Sequence, residues 1–311
     1  MDRYARPQRL VKINRRRRLN LYVSGEGAPT VILFGGGACG PLYAARVQSR
    51  LQRTCRVVSF DRAGSGFSDP GPLPRTTARL VADLRTALNA LSIGPPYVAV
   101  GHSQGSFDCR LFAFLHPDEV VGMVLVDPRG DRAFERLTAA VPRLAGRFLD
   151  DQRRLHRNAV IARRRPRPGT PDYEALALPP NPNLTAAVNQ ALLEERLRPA
   201  YWRANASEQL SLLNGSSQGE VDRARRHLGN LPLILLSARR QDRPDLSAEE
   251  NDAEWAARAE MHRELVALSS LGFERHVPDS SHDTPLDRPD AVAEAVLEVI
   301  AAAAASGNAH A

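Results

Sequence analysis

The feature that most constrains this chain is Gly101-His102-Ser103-Gln104-Gly105, which directly follows the apolar run Tyr97-Val-Ala-Val and precedes a helical pattern reaching His116. A serine at this spacing sits on a strand-to-helix turn tight enough to strain its backbone, and the flanking glycines remove Cβ atoms that would collide with neighbouring chain. The turn pushes Oγ into the open. The helix start aims the Gln104 N–H and the positive end of the helix dipole at any oxyanion forming beside it.

Such an elbow demands strands and helices packed in layers, and the sequence supplies them. Short continuous apolar runs recur at Val31-Ile-Leu-Phe, Val57-Val-Ser-Phe, Met123-Val-Leu-Val, Leu233-Ile-Leu-Leu and Phe273 to Val277, the pattern of a parallel sheet covered on both faces. Helical stripes lie between them, for example Leu80, Leu84, Leu88 and Leu91, and later Val292, Val296, Val299 and Ile300. The fold class is therefore α/β, a mostly parallel sheet flanked by helices. Residues 9–14 and 19–24 alternate apolar with polar around Arg15 to Arg18, which predicts an antiparallel hairpin at the N-terminus. Alternation of strand and helix stops after Asp127 and resumes near Pro232. This divides the chain into a core of residues 1–128 and 230–303, a helical cap inserted after the sixth strand over 129–229, and a flexible tail over 304–311. Within the insert, residues 163–183 read as an Arg/Pro-rich loop, and from Ala301 onward the chain is expected to fray.

Composition excludes several functions. No apolar run approaches the ~18–20 residues of a membrane helix, and no h-region follows the basic start, so a cytoplasmic protein without a membrane span is expected. Cys39, Cys55 and Cys109 leave one thiol over in any disulfide scheme and show no zinc spacing. The net charge of +7 is nearly all arginine, Lys12 being the one lysine. The clusters at Arg15–Arg18 and Arg163–Arg167 lack interleaved aromatics, and they read as solvated surface rather than a nucleic-acid site.

Candidate chemistry converges on the elbow. The loop Gly35-Gly36-Gly37-Ala38-Cys39-Gly40 follows a strand, and its amides can approach an oxyanion closely, with Gly37 the expected second donor beside Gln104 and Gly36 the fallback. The same loop spells GxGxxG, with Asp61 ending the next strand about twenty residues on, the signature of a dinucleotide site and an NAD(P)-dependent oxidoreductase. That alternative leaves Ser103 and His282 unexplained. His282 follows the last strand, where an imidazole can serve as base to a serine from a distant loop. Asp127 and Asp242 both follow strands and could orient that imidazole; His102, His116, His262 and His276 read as structural.

Beyond the elbow, Asp61-Arg-Ala-Gly-Ser-Gly-Phe-Ser-Asp-Pro-Gly-Pro, Pro117-Asp-Glu-Val-Val-Gly-Met-Val-Leu-Val-Asp-Pro and Arg288-Pro-Asp-Ala-Val complete a resemblance to bacterial α/β hydrolases over about residues 18–300, apart from the inserted stretch, where it is weaker. It implies a Ser-His-acid hydrolase with a helical cap between the sixth and seventh strands. The chain departs from the family in carrying Gly35-Gly36 where His-Gly is usual. Ser237-Ala-Arg-Arg-Gln-Asp242 likewise replaces the usual Gly-x-x-Asp. In haloalkane dehalogenases, which this chain resembles in fold, the acid can follow the sixth strand, and Asp127 matches that position; it ranks ahead of Asp242. The expected activity is cleavage of an ester or thioester of a small apolar acyl substrate through an acyl-enzyme, with Trp202 lining the acyl pocket and no cofactor or metal. A lyase or cyclase step on the same scaffold, or ligand binding alone, are the competing functions.

Overall fold

The computed structural model describes residues 2–37, 40–177, 179–182 and 184–308. Eight strands form one sheet: β1 (Arg9–Lys12), β2 (Arg18–Ser24), β3 (Thr30–Phe34), β4 (Val57–Phe60), β5 (Tyr97–His102), β6 (Val120–Val126), β7 (Leu233–Ala238) and β8 (Gly272–Val277). Their spatial order is β1-β2-β4-β3-β5-β6-β7-β8. β1 pairs antiparallel with β2 and β2 with β4, and every later pairing is parallel. The expected N-terminal hairpin and parallel core are both present.

The period-2 geometry of a strand sorts the apolar residues into two layers. Ile32, Phe34, Ala99, Met123, Leu125, Leu233 and Leu235 face one core, shared with Leu80, Leu84 and Leu88 of α2 (Thr77–Ala90) and Phe112 of α3 (Gly105–Leu115). Val31, Leu33, Val98, Val100, Val124, Val126, Ile234 and Leu236 face the other, covered by Val47 and Leu51 of α1 (Ala45–Leu51). On that face, Val292, Val296 and Val299 come from the last long helix, Pro289–Asn308. Burial on both faces is what permits uninterrupted apolar strands.

Among the described residues between β6 and β7 lie six helices: α4 (Ala133–Ala140), α5 (Leu144–Arg163), α6 (Pro171–Leu176), α7 (Ala186–Arg196), α8 (Pro199–Leu213) and α9 (Ser216–Ala224). α5, α6 and α8 enclose their own cluster around Trp202, Tyr201, Leu155 and Leu176. Leu212 and Val221, however, join the main core. The insert is thus continuous with the sheet's packing at its C-terminal end.

Three details differ from the sequence reading. α6 interrupts the stretch read as a loop, because Thr170 caps it by accepting from the Tyr173 N–H and Pro171 fits its first turn. The last helix continues from Ala301 to Asn308, as the high helix propensity of an alanine run allows, and 309–311 lie outside the described residues. Phe273 belongs to β8, but that strand ends the sheet and its side chains are mostly exposed. The remaining helices are α10 (Ala248–Val266), α11 (Thr284–Asp287) and α12, the Pro289–Asn308 helix. Among the described residues no helix is long and apolar enough to cross a membrane.

Candidate active site

Strand register brings the site together. His102 pairs with Val126, and Val126 with Leu236, so Ser103 and Asp127 are each the first residue past neighbouring strands. The Ser103 N–H still donates to the Val126 carbonyl at 3.0 Å, and the Asp127 N–H to the Leu236 carbonyl at 2.7 Å. Both residues then turn sharply into the left-handed region, with φ of 52° at Ser103 and 38° at Asp127. Such backbone costs about 1–3 kcal/mol for a residue with a Cβ and clusters where side chains must be aimed. Gly105 permits the turn: a Cβ there would stand 2.3 Å from the Phe34 carbonyl oxygen and 2.5 Å from that of Gly35.

Ser103 Oγ lies 2.9 Å from His282 Nε2, and His282 Nδ1 lies 2.5 Å from Asp127 Oδ2. The other Asp127 oxygen accepts from the Ala238 N–H at 3.1 Å. Burial pushes the Asp127 carboxyl up, but the His282 hydrogen bond and charge together with the Ala238 N–H outweigh it, so the group sits below the usual carboxylate range. Asp242 is not at the imidazole. It is exposed and pairs with Arg240 Nε at 2.6 Å, because the loop after β7 carries it out to solvent.

The His282 loop is braced from below. Its carbonyl meets Nε2 of His102 at 2.8 Å, and Ser280 Oγ donates to Thr284 Oγ1 at 2.8 Å. Burial, with the nearby His282, pushes the His102 imidazole down to about 4. Neutral at ordinary pH, His102 donates its Nε2 proton to the carbonyl.

On the far side of Ser103 runs the glycine loop. A Cβ on Gly36 would lie 3.3 Å from Ser103 Cβ, and one on Gly37 would lie 2.5 Å from Gln104 Oε1. Gly37 and Gln104, the residues expected to supply oxyanion donors, are therefore in contact, while Ala38 and Cys39 lie outside the described residues. A buried charge cluster anchors this loop. Arg62 donates to the Gly35 carbonyl (2.5 Å), to Asp108 Oδ2 (2.7 Å) and to Glu208 Oε2 (3.0 Å), and Gln104 Nε2 donates to the same Glu208 oxygen (3.2 Å). Glu208 comes from α8, so the insert, the glycine loop and the elbow share one network. Burial raises the Asp108 carboxyl to about 6 despite Arg62.

The dinucleotide reading fails on this geometry. Asp61 is buried, and its Oδ2 accepts from Asn20 Nδ2 and the Phe67 N–H at 2.8 Å each, which ties it into the loop after β4. The glycine loop is closed against Ser103 and Gln104.

A cavity of about 470 Å³ opens on Ser103, Asp127 and His282. Its walls include Ala133, Leu137, Arg147 and Phe148 of the insert, which brings α4 and α5 over the carboxyl ends of the strands. It is not the apolar slot expected: five arginines (129, 147, 239, 243 and 258) face three carboxylates (Asp127, Asp242 and Glu254). Trp202 instead lines an adjoining space of about 280 Å³ with Gly37 and Gln104, its indole N–H bonded to the Arg196 carbonyl at 2.6 Å. Sequence reasoning missed Arg62, Asp108, Glu208 and Arg129; only Arg62 lay in a segment already singled out.

The whole span from residue 31 to 295 matches the alpha/beta hydrolase family. The chain belongs to the α/β hydrolase family. A relative, the uncharacterised protein YqjL of Bacillus subtilis strain 168, is 25% identical over 248 residues, covering 79% of this chain and 74% of its own. Among solved structures, a thermophilic esterase from Thermogutta terrifontis superposes with a TM-score of 0.58 at 20% identity, covering 92% of this chain and 94% of that one. The epoxide hydrolase CorEH does so with a TM-score of 0.61 at 17% identity, covering 94% and 97%. At these identities the two structures share the fold, and this α/β hydrolase must be assigned chemistry from its own residues.

Proposed function

We propose that this hydrolase cleaves an ester or thioester through an acyl-enzyme on Ser103, with His282 as general base and Asp127 as the acid that orients it. The reading is carried by the unbroken chain of contacts from Ser103 Oγ through the His282 ring to Asp127. Asp127 accepts a hydrogen bond from the His282 Nδ1–H and so fixes the tautomer that leaves Nε2 free to take a proton from Ser103. The alkoxide attacks the carbonyl carbon, and the oxygen that becomes negative is held by the Gly37 and Gln104 N–H groups. The C–O or C–S bond then breaks as the imidazolium returns its proton to the leaving alcohol or thiol. Water, deprotonated by His282, releases the acid and restores Ser103.

An epoxide substrate fits a serine less well. Attack of Oγ on an epoxide carbon would form an ether, which water does not cleave under these conditions, whereas an acyl-serine ester turns over. The test is ester hydrolysis by Ser103→Ala, whose kcat/KM is expected to fall by several orders of magnitude with the fold retained. Turnover at the wild-type rate would overturn the assignment.

A further inference from the structure

Arg129 follows Asp127 by two residues and lies on the floor of the cavity that holds Ser103. Its backbone is fully engaged: the N–H donates to the Ser103 carbonyl at 3.1 Å, and the carbonyl accepts from Ser106 Oγ at 3.0 Å. The side chain lacks a counter-charge. One guanidinium nitrogen donates to Gln209 Oε1 at a long 3.5 Å, and the group lies 6.0 Å from the Phe148 ring centre. Among the described residues no carboxylate comes within 4.0 Å of it. The buried arginines are paired instead: Arg62 meets Asp108 and Glu208, Arg75 meets Asp83, and Arg110 meets Asp131. Across the cavity, Arg243 and Arg258 share the single carboxylate Glu254, which leaves that wall positive as well.

Arg129 is only partly buried, and its unpaired guanidinium N–H groups open into the cavity, where a carboxylate could take them. Burial and the neighbouring Arg258 charge push the Arg129 guanidinium down to about 10, so it remains a cation at neutral pH. Its position argues against a purely structural part. It also lines the neighbouring space bordered by Gly37 and Gln104, so it faces both cavities beside the site.

We propose that Arg129 is a specificity-determining residue that receives a carboxylate on the substrate, making this enzyme a hydrolase of acidic esters or thioesters. The proposal rests on the serine-hydrolase reading for the reaction but not for the anion site itself. A planar guanidinium can take both oxygens of a carboxylate, and the apolar faces of Phe148 and Leu137 in the same cavity suit a short chain between that carboxylate and the scissile carbonyl.

The experiment compares kcat/KM for three esters: p-nitrophenyl butyrate, p-nitrophenyl hemisuccinate, and 4-carboxyphenyl butyrate, which carry no carboxylate, one on the acyl side, and one on the alcohol side. The wild type should favour an acidic ester over the neutral one. In Arg129→Met that preference ratio should fall by roughly 10–100-fold, the scale of one charge-assisted contact, with part of it kept in Arg129→Lys. A structural role would lower all three esters together and leave the ratio unchanged, and that result would overturn the proposal. If no ester is turned over, the serine-hydrolase reading fails, and calorimetric titration with succinate then decides the anion site. Binding to Ser103→Ala that is lost in Ser103→Ala/Arg129→Met upholds it; no binding to Ser103→Ala overturns it.

Discussion

His282 Nδ1 meets Asp127 Oδ2 at 2.5 Å although 155 positions separate them in sequence. Asp127 is held by two further contacts, through its own N–H to Leu236 and its second oxygen to Ala238, so the carboxylate is positioned by groups other than the imidazole.

Asp127→Asn keeps the shape but reverses a donor and an acceptor at the imidazole. Ester kcat should fall by about 10³–10⁴-fold, as expected where the wrong tautomer is favoured. Asp242→Asn removes only an exposed pair with Arg240 and should have a far smaller effect. Steady-state kinetics on the two variants checks this; equal losses would remove Asp127 from its role.

Gly105→Ala puts a methyl group against the Phe34 and Gly35 carbonyls. Both belong to the segment that leads into Gly37, so the expected result is a loss of kcat together with a lower melting temperature. Wild-type kinetics in this variant would mean the glycine loop does not have to lie against the elbow.

Arg62 pairs with both Asp108 and Glu208 where all three are buried. Arg62→Met leaves two carboxylates without their cation, and stability should fall by about 3–5 kcal/mol, read from urea unfolding. A change below 1 kcal/mol would show that the cluster is not a coupled unit.

His102 gives a pH dependence with a definite sign. Its folded value of about 4 lies below the 6.5 of an ordinary imidazole, so between these values the unfolded chain binds the proton more readily. The stabilisation is complete above pH 6.5 and is lost as the pH falls toward 4, up to about 3 kcal/mol. His102→Gln, which cannot titrate, should show a flatter stability profile over that window. An identical slope in both proteins would contradict the buried, neutral ring.

How much of this was legible depends on how local each signal is. The elbow around Ser103 and the alternating strands are encoded within a few residues, by glycine spacing and by apolar runs that need cover on both faces, and the fold followed from them. The acid was harder. Asp127 and Asp242 both follow strands; the resemblance ranks Asp127 first, and the course of the loop after β7, which carries Asp242 to solvent, is what the residues alone do not show. The Arg62 network was invisible, since its partners Asp108 and Glu208 lie 46 and 146 positions away and nothing in a linear pattern pairs them. The cavity's charge was hidden for the same reason: Arg129 looks like one arginine among many until its lack of a carboxylate is seen.

The central claim, that Ser103 is the nucleophile, is tested most directly by treating the protein with a fluorophosphonate and mapping the adduct by mass spectrometry. The account predicts one adduct, on the peptide carrying Ser103, absent from Ser103→Ala and slowed in Asp127→Asn. An unmodified protein, or an adduct that persists in Ser103→Ala, would contradict it.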